Sequence, residues 1–237
     1  MALMPPPLHL FIGYDPKETV AYHVLSHSIL RQASCPVALT PLVQTQLRGT
    51  ALYRRERGKT ETTEFSLTRF LVPYLSHYEG YSIFMDCDML CQADIAELLI
   101  YAMAYPDKAL FCCQHDYTPK TQRKFLNQMQ TTYPRKNWSS LMLFNNAKCR
   151  ALTPDYVNTA TGLDLHRMHW LKDEEIGALP LEWNWLVGEQ DANAKAKMLH
   201  YTLGTPCFAD YATCEHSDRW WQEYERMMYP VIRHRNG

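Results

Sequence analysis

The sequence predicts an α/β fold: one domain built on a mostly parallel, mixed sheet flanked by helices. Two observations predict it. Short apolar runs of strand length recur at Leu8–Ile12, Tyr81–Met85, Ala109–Gln114, Ser140–Phe144 and Lys197–Tyr201, separated by segments with helix-like spacing. Residues that carry chemistry, namely Asp15, Asp86, His115 and His200, fall at or just past the ends of those runs. In parallel α/β sheets, ligands bind at the carboxyl ends of the strands.

The elements follow in order. Leu8–Ile12 reads as a strand that stops at Gly13-Tyr14-Asp15-Pro16, with Pro16 placed for the first turn of a helix. Val20, Val24, Leu25 and Ile29 continue that helix to about Arg31. Pro36–Val43 is bracketed by prolines and reads as an edge strand. Thr45–Thr62 is polar, arginine-rich and punctuated by glycine, the signature of a mobile loop of the lid type. Glu64–Leu75 suits a helix with Phe65, Phe70 and Leu71 inward. Tyr81–Met85 is a strand, and Asp94 an N-cap for the helix after it. Two further buried strands are expected at Ala109–Gln114 and Ser140–Phe144, short helices from Ala147 and over Thr153–Thr161, and a last strand at Lys197–Tyr201. The tail Ser217–Tyr229, with Trp220, Trp221 and Tyr224, suits an amphipathic helix that packs on the core, docks a partner or rests on a membrane surface.

Composition excludes several functions. Apolar residues make up 46% of the 237, charged residues 21%, and the formal net charge is −1. Basic residues are dispersed, and the clusters Arg54–Arg57 and Arg233–Arg235 are too short for a nucleic-acid footprint. No apolar run approaches the roughly 20 residues of a membrane span. Met1–Leu10 lacks a signal-peptide pattern. The eight cysteines contain no C-x-x-C pair, so a reduced, cytoplasmic protein is expected.

The chemistry centres on Asp86-Cys87-Asp88 at the end of Tyr81–Met85. Residues i and i+2 of a strand share one face, so both carboxylates can reach one ion, and hard divalent cations prefer oxygen ligands. Strand-end capping of backbone amides is the competing role. His200 ends another apolar run, as a third ligand or as a satisfied core histidine; Asp, Asp and His together suit manganese. Arg69 precedes the aspartate strand and suits a bidentate contact to phosphate or carboxylate, or a place on the surface. Asp173-Glu174-Glu175 reads as a solvated helix start or as carboxylates that hold a sugar. Trp183-Asn184-Trp185 offers indoles for sugar stacking or for the core. His23 and His27 stand i, i+4 on a helix without a visible third ligand.

Six pieces in one order, LFIGYDPKETVAYHV, FSLTRFLVPYL, GYSIFMDCDML, WSSLMLFNN, LKDEEIG and LHYTLGTPCF, resemble GT-A-fold glycosyltransferases of the family 8 type, the group of glycogenin and the lipopolysaccharide galactosyltransferases. The resemblance spans roughly residues 8–208 and implies a nucleotide-sugar half at about 8–115, an acceptor half at about 116–208 and an aromatic tail at 209–237. It implies retaining transfer of a sugar from a nucleotide-sugar donor, expected to be a UDP-sugar, to a saccharide or glycoconjugate acceptor. Mn2+ (or Mg2+) would be held by Asp86, Asp88 and His200. Ile12, Tyr14 and Asp15 would hold the nucleoside, Arg69 the diphosphate and donor sugar, and Asp173 and Glu174 the donor sugar, with Glu174 as nucleophile or electrostatic stabiliser. Gly204 matches the glycine of the family's Gly-x-Lys-Pro-Trp. Two departures stand out: Thr205 stands at the position of the diphosphate-gripping lysine, so that Arg69 or a loop cation such as Lys59 replaces it or donor affinity is weaker, and Trp138-Ser139-Ser140 replaces Asn-Ala-Gly. A nucleotidyltransferase would need a glycine-rich basic loop that Gly13–Pro16 does not provide. A non-catalytic nucleotide-sugar-binding protein is the other alternative.

Overall fold

The computed structural model describes residues 7–58, 61, 63–116, 123–124, 128–129, 134–190 and 195–229. Lys59 and Thr62 lie outside them. In chain order the elements are β1 (Leu8–Tyr14), α1 (Thr19–Gln32), β2 (Val37–Val43), α2 (Gln44–Gly49), α3 (Val72–Leu75), β3 (Tyr81–Met85), β4 (Met89–Cys91), α4 (Leu98–Ala104), β5 (Leu110–Cys113), β6 (Arg123–Lys124) and β7 (Gln128–Met129). There follow β8 (Leu141–Asn145), α5 (Pro154–Thr159), α6 (Gly162–His166), β9 (Ile176–Leu179), β10 (Trp185–Leu186), β11 (Met198–His200) and α7 (Ser217–Met228).

Six strands form the central sheet in the order β2-β1-β3-β8-β5-β9. β1 runs parallel to β2 and β3, β8 runs against both of its neighbours, and β5 is parallel to β9. Five of the six therefore point the same way, and the expected mostly parallel, mixed sheet is what forms. Phe11, Phe84, Phe111 and Phe144 are buried on four adjacent strands, because both faces of such a sheet are covered. β2 is the edge that its prolines predict.

β10, β11 and β4 make a second, three-stranded sheet. The run Lys197–Tyr201 thus forms a strand, but outside the main sheet. α1 lies over β4, with Ala21, Val24, Leu25, Ser28 and Ile29 buried at helical spacing, and Ser28 Oγ accepts from the Cys91 amide at 3.0 Å. α7 packs on α1 through buried Trp220 and through Glu223, whose carboxylate takes bonds from Arg31 at 2.9 Å and pairs with His27 at 2.7 Å. His27 thereby serves helix docking, not metal.

Two expectations change. The helix over Glu64–Leu75 is broken: a 3-10 turn covers Thr68–Leu71 and the α-helix proper begins only at Val72, because Pro73 carries no N–H to continue a ladder from upstream. Phe65, Phe70 and Leu71 are buried as expected. The loop over Thr45–Thr62 opens with α2 and is then tied to α5. The Arg54 amide donates to Asn158 Oδ1 at 2.6 Å, Arg55 donates to the Val157 carbonyl at 2.9 Å, and Tyr53 is buried. Its described arginines spend their charge on the protein, which argues against a lid that swings free.

Candidate metal centre

The site forms where β3 ends. The Asp86 amide donates to the Ser140 carbonyl at 2.9 Å, the last rung before the chain turns. Cys87 points into the core and is fully buried, leaving Asp86 and Asp88 on the other side. Immediately after, β4 pairs with β11 antiparallel, His200 opposite Met89, and the Tyr201 amide donates to the Asp88 carbonyl at 2.9 Å. This register sets the imidazole beside the two carboxylates: His200 Nε2 lies 3.3 Å from Asp88 Oδ1 and 4.0 Å from Asp86 Oδ2. One ligand atom from each of the three residues falls within 4.8 Å of the others. Two oxygens and an imidazole nitrogen in that space fit a manganese-like cation.

Arg69 supports the cluster from below. Its Nη1 lies 2.8 Å from Asp86 Oδ1 and donates to the Ser139 carbonyl at 2.8 Å, while Nε donates to the Phe65 carbonyl at 3.3 Å. The guanidinium sits over the Phe84 ring at 4.8 Å and the Phe65 ring at 5.4 Å. It is only 5% exposed, so the surface alternative falls. Its guanidinium grips Asp86.

The segment Asn137–Ser140 is what residue types alone do not reveal. Its carbonyls accept from Asn184 Nδ2 (Asn137, 3.1 Å), Arg69 (Ser139) and the Asp86 amide (Ser140), and Trp138 Nε1 donates to the His115 carbonyl at 2.9 Å. One short strap thus ties together the ends of β3, β5 and β10. Asn184, between Trp183 and Trp185 in sequence, accepts from His200 Nδ1 at 2.8 Å, and Trp183 is fully buried core.

Beneath the aspartates lies a third acidic group that the sequence does not single out. Glu18 is 4% exposed, and Cys87 Sγ stands 3.8 Å from its Oε2. Burial, reinforced by the charges of Asp88, Asp15 and Asp86, pushes its carboxyl well above the usual range. Burial, with His200 adding to it, brings the His115 imidazole down to about 4.

Other expected site residues fall as follows. Asp15 caps the turn Pro16–Glu18, accepting from the Lys17 amide at 3.0 Å and from the Glu64 amide at 3.2 Å, so it joins two segments beside the site. Tyr14 ends β1, its hydroxyl 3.1 Å from Thr19 Oγ1. Ile12 is fully buried in mid-strand and offers a ligand no side chain. Gly204 has φ +151°, and a Cβ there would meet the Tyr211 ring at 2.3 Å. Thr205 is fully buried, its hydroxyl 3.1 Å from Cys207 Sγ, and so supplies no substitute for the lysine.

Asp173 and Glu174 do not join the site. They form a turn at the amino end of β9, where the Ala109 amide donates to the Glu175 carbonyl, five residues of β8 away from the rung at Ser140. At about 3.3 Å per residue that is roughly 15 Å along the strands alone. The Asp173 side chain is 82% exposed and pairs with Arg135. LKDEEIG thus lies at the amino end of β9, away from Asp86 and Asp88.

No family model matches the sequence. Protein CDI from Arabidopsis thaliana is 49% identical over 227 residues, which cover 92% of this chain and 86% of that protein. Among solved structures, the bifunctional glycosyltransferase WbbM superposes with a TM-score of 0.63 at 16% identity, over 94% of this chain. The present chain spans 51% of the WbbM chain, about half its length. The galactosyltransferase LgtC, solved in complex with donor and acceptor sugar analogs, superposes with a TM-score of 0.55 at 10% identity over 92% of this chain and 95% of that one. These structures share the GT-A-like glycosyltransferase fold with this chain, and the candidate Asp-Asp-His centre stands at the end of its β3 strand.

Proposed function

The chain belongs to the family of Protein CDI, and we propose that it is a divalent-metal-dependent glycosyltransferase that transfers a sugar from a nucleotide-sugar donor to a saccharide or glycoconjugate acceptor. The observation that carries this reading is the convergence of Asp86, Asp88 and His200 at the carboxyl end of β3, on a fold shared with glycosyltransferases. The narrower reading is a retaining hexosyl transfer of the family 8 type, with Mn2+ (or Mg2+) and a UDP-sugar, by a cytoplasmic protein. The order of the six sequence pieces supports it, as do eight free cysteines and, among the described residues, no helix long and apolar enough to cross a membrane.

Asp86, Asp88 and the Nε2 of His200 would hold the cation, which when bound supplies positive charge for the nucleoside diphosphate that leaves. Arg69 keeps the Asp86 carboxylate in one orientation and so acts on the diphosphate through Asp86. Tyr14 and Asp15, at the end of β1, line the approach from the nucleoside half, residues 8–115 in this reading. Glu18, buried beside Asp86 and Asp88 with its carboxyl pushed up by burial, adds to the acidic surroundings that would favour a cation here. Asp173 and Glu174 are given no part in the transfer.

The test is release of nucleoside diphosphate from a panel of nucleotide sugars, with and without Mn2+, by the protein and by Asp88→Ala. Metal-dependent release that drops by about a thousand-fold in Asp88→Ala is expected, the scale of several kcal/mol of lost charge stabilisation. Binding of the donor with no turnover by either protein would favour a non-catalytic nucleotide-sugar-binding protein.

A further inference from the structure

Asn184 ends the turn Leu181–Asn184 and is fully buried, just before β10, whose register sets Leu186 opposite His200. Its amide makes two bonds that together place the proton on one nitrogen of His200. Nδ2 donates to the Asn137 carbonyl at 3.1 Å, and a carbonyl only accepts, so this bond decides which end of the amide is nitrogen. Oδ1 therefore faces His200 Nδ1 at 2.8 Å, and since that oxygen also only accepts, Nδ1 carries the proton. With Nδ1 committed to Asn184, Nε2 is the nitrogen left to hold a cation. That is the atom 3.3 Å from Asp88 and 4.0 Å from Asp86.

We infer that Asn184 is the positioning residue of the metal centre. It holds His200 in the Nδ1–H tautomer and fixes the rotation of the ring, so that Nε2 presents a lone pair where the two aspartates converge. Without it, the carboxylates beside Nε2 draw the proton to that nitrogen. His200 then closes the site as a hydrogen-bond donor to Asp88 instead of opening it to a cation. The inference rests on the metal reading above and adds to it a residue sixteen positions from the ligand it governs. The Asn137 carbonyl extends the same control to the strap that also holds Arg69 and Asp86.

The test measures Mn2+ affinity by electron paramagnetic resonance, without nucleotide sugar, for the unaltered chain, Asn184→Asp, Asn184→Ala and Asp88→Ala. Long-range nitrogen–proton NMR of the metal-free proteins reads the His200 tautomer alongside. The unaltered chain is expected to show Nδ1–H. Asn184→Ala is expected to move the proton to Nε2 and to weaken Mn2+ binding about 10- to 100-fold, the range for lost outer partners of ligating histidines. Asn184→Asp keeps the acceptor and loses the donor to Asn137, and is expected to stay within about 3-fold of the unaltered chain. Equal losses in both Asn184 variants would show that the residue serves only Asn137 and the packing around it, and would overturn the inference. So would an Nε2–H tautomer in the unaltered chain, a readout that survives if Asn184→Ala does not fold. Mn2+ binding that is intact in Asn184→Ala but lost in Asp88→Ala would overturn the role of Asn184 alone. Equal binding by the unaltered chain and Asp88→Ala would remove the metal reading with it.

Discussion

Two acidic groups on this chain look alike as strings of letters and differ in every physical respect. Asp86 and Asp88 end a buried strand, are largely covered, and are held by Arg69, by His200 and by the β4–β11 register. Asp173 and Glu174 form the turn before a short strand at the opposite end of the sheet, and Asp173 stands in water with an ion pair to Arg135. Carboxylates make a site when the fold removes them from water and fixes what they face, since only there do their charges act at low dielectric. In the open they are solvated chain.

The sharpest way to break this comparison is to neutralise both clusters. Asp86→Asn and Asp88→Asn are each expected to lower metal-dependent turnover by about a thousand-fold. The double change Asp173→Asn with Glu174→Gln is expected to leave kcat/KM within about two-fold and stability within ~0.5 kcal/mol. A collapse of activity in that double variant would restore those residues to the site.

Acid should expose the cost of the first cluster. The imidazole of His115 is brought from 6.5 down to about 4 by burial, so the unfolded chain takes up its proton first as pH falls. The stability this neutral histidine allows is complete above pH 6.5 and is lost as pH drops from there through about 4, reaching about 3 kcal/mol. Denaturant titrations of the metal-free protein between pH 7 and pH 4 check this, and His115→Gln should flatten the profile over that range.

Arg69 comes next. Removing it leaves Asp86 beside a buried apolar hole lined by Phe65 and Phe84, and Arg69→Met is expected to cost about 2–3 kcal/mol, less than a fully buried pair because Asp86 keeps some water contact. Arg135→Met, which unpairs exposed Asp173 and gives up a bond to the Arg167 carbonyl and a place over the Trp138 ring, is expected to cost ~1 kcal/mol, less than Arg69→Met. Chemical denaturation of the two variants side by side measures the difference.

Much of the sheet was legible because local pattern decides it. Tyr81–Met85 is an unbroken apolar run that the fold uses residue for residue as β3, and the prolines around Val37–Val43 mark an edge. β4 and β9 escape such reading. β4 is three residues long and follows Asp88 without a break, and β9 hides Gly177 in four residues behind an acidic run. Membership of β11 in a second sheet depends on pairing across more than a hundred residues, which no local period encodes. At the site, residue type and strand-end position sufficed for Asp86, Asp88 and His200. Asp173 and Glu174, named through a resemblance and not through a strand end, lie at the amino end of β9. Arg69 showed its chemistry but not its partner. Asn184 and Glu18 gave almost no signal, since a buried polar residue among apolar neighbours declares its role only through the atoms it meets.

The central claim is that Asp86, Asp88 and His200 together hold the cation that a nucleotide sugar needs. Anomalous diffraction from crystals grown with Mn2+ and UDP tests it most directly. The account predicts one strong manganese peak within bonding reach of an Asp86 oxygen, an Asp88 oxygen and His200 Nε2, with diphosphate oxygens completing its coordination. A peak elsewhere on the chain, or UDP bound with no metal between these three residues, would contradict it.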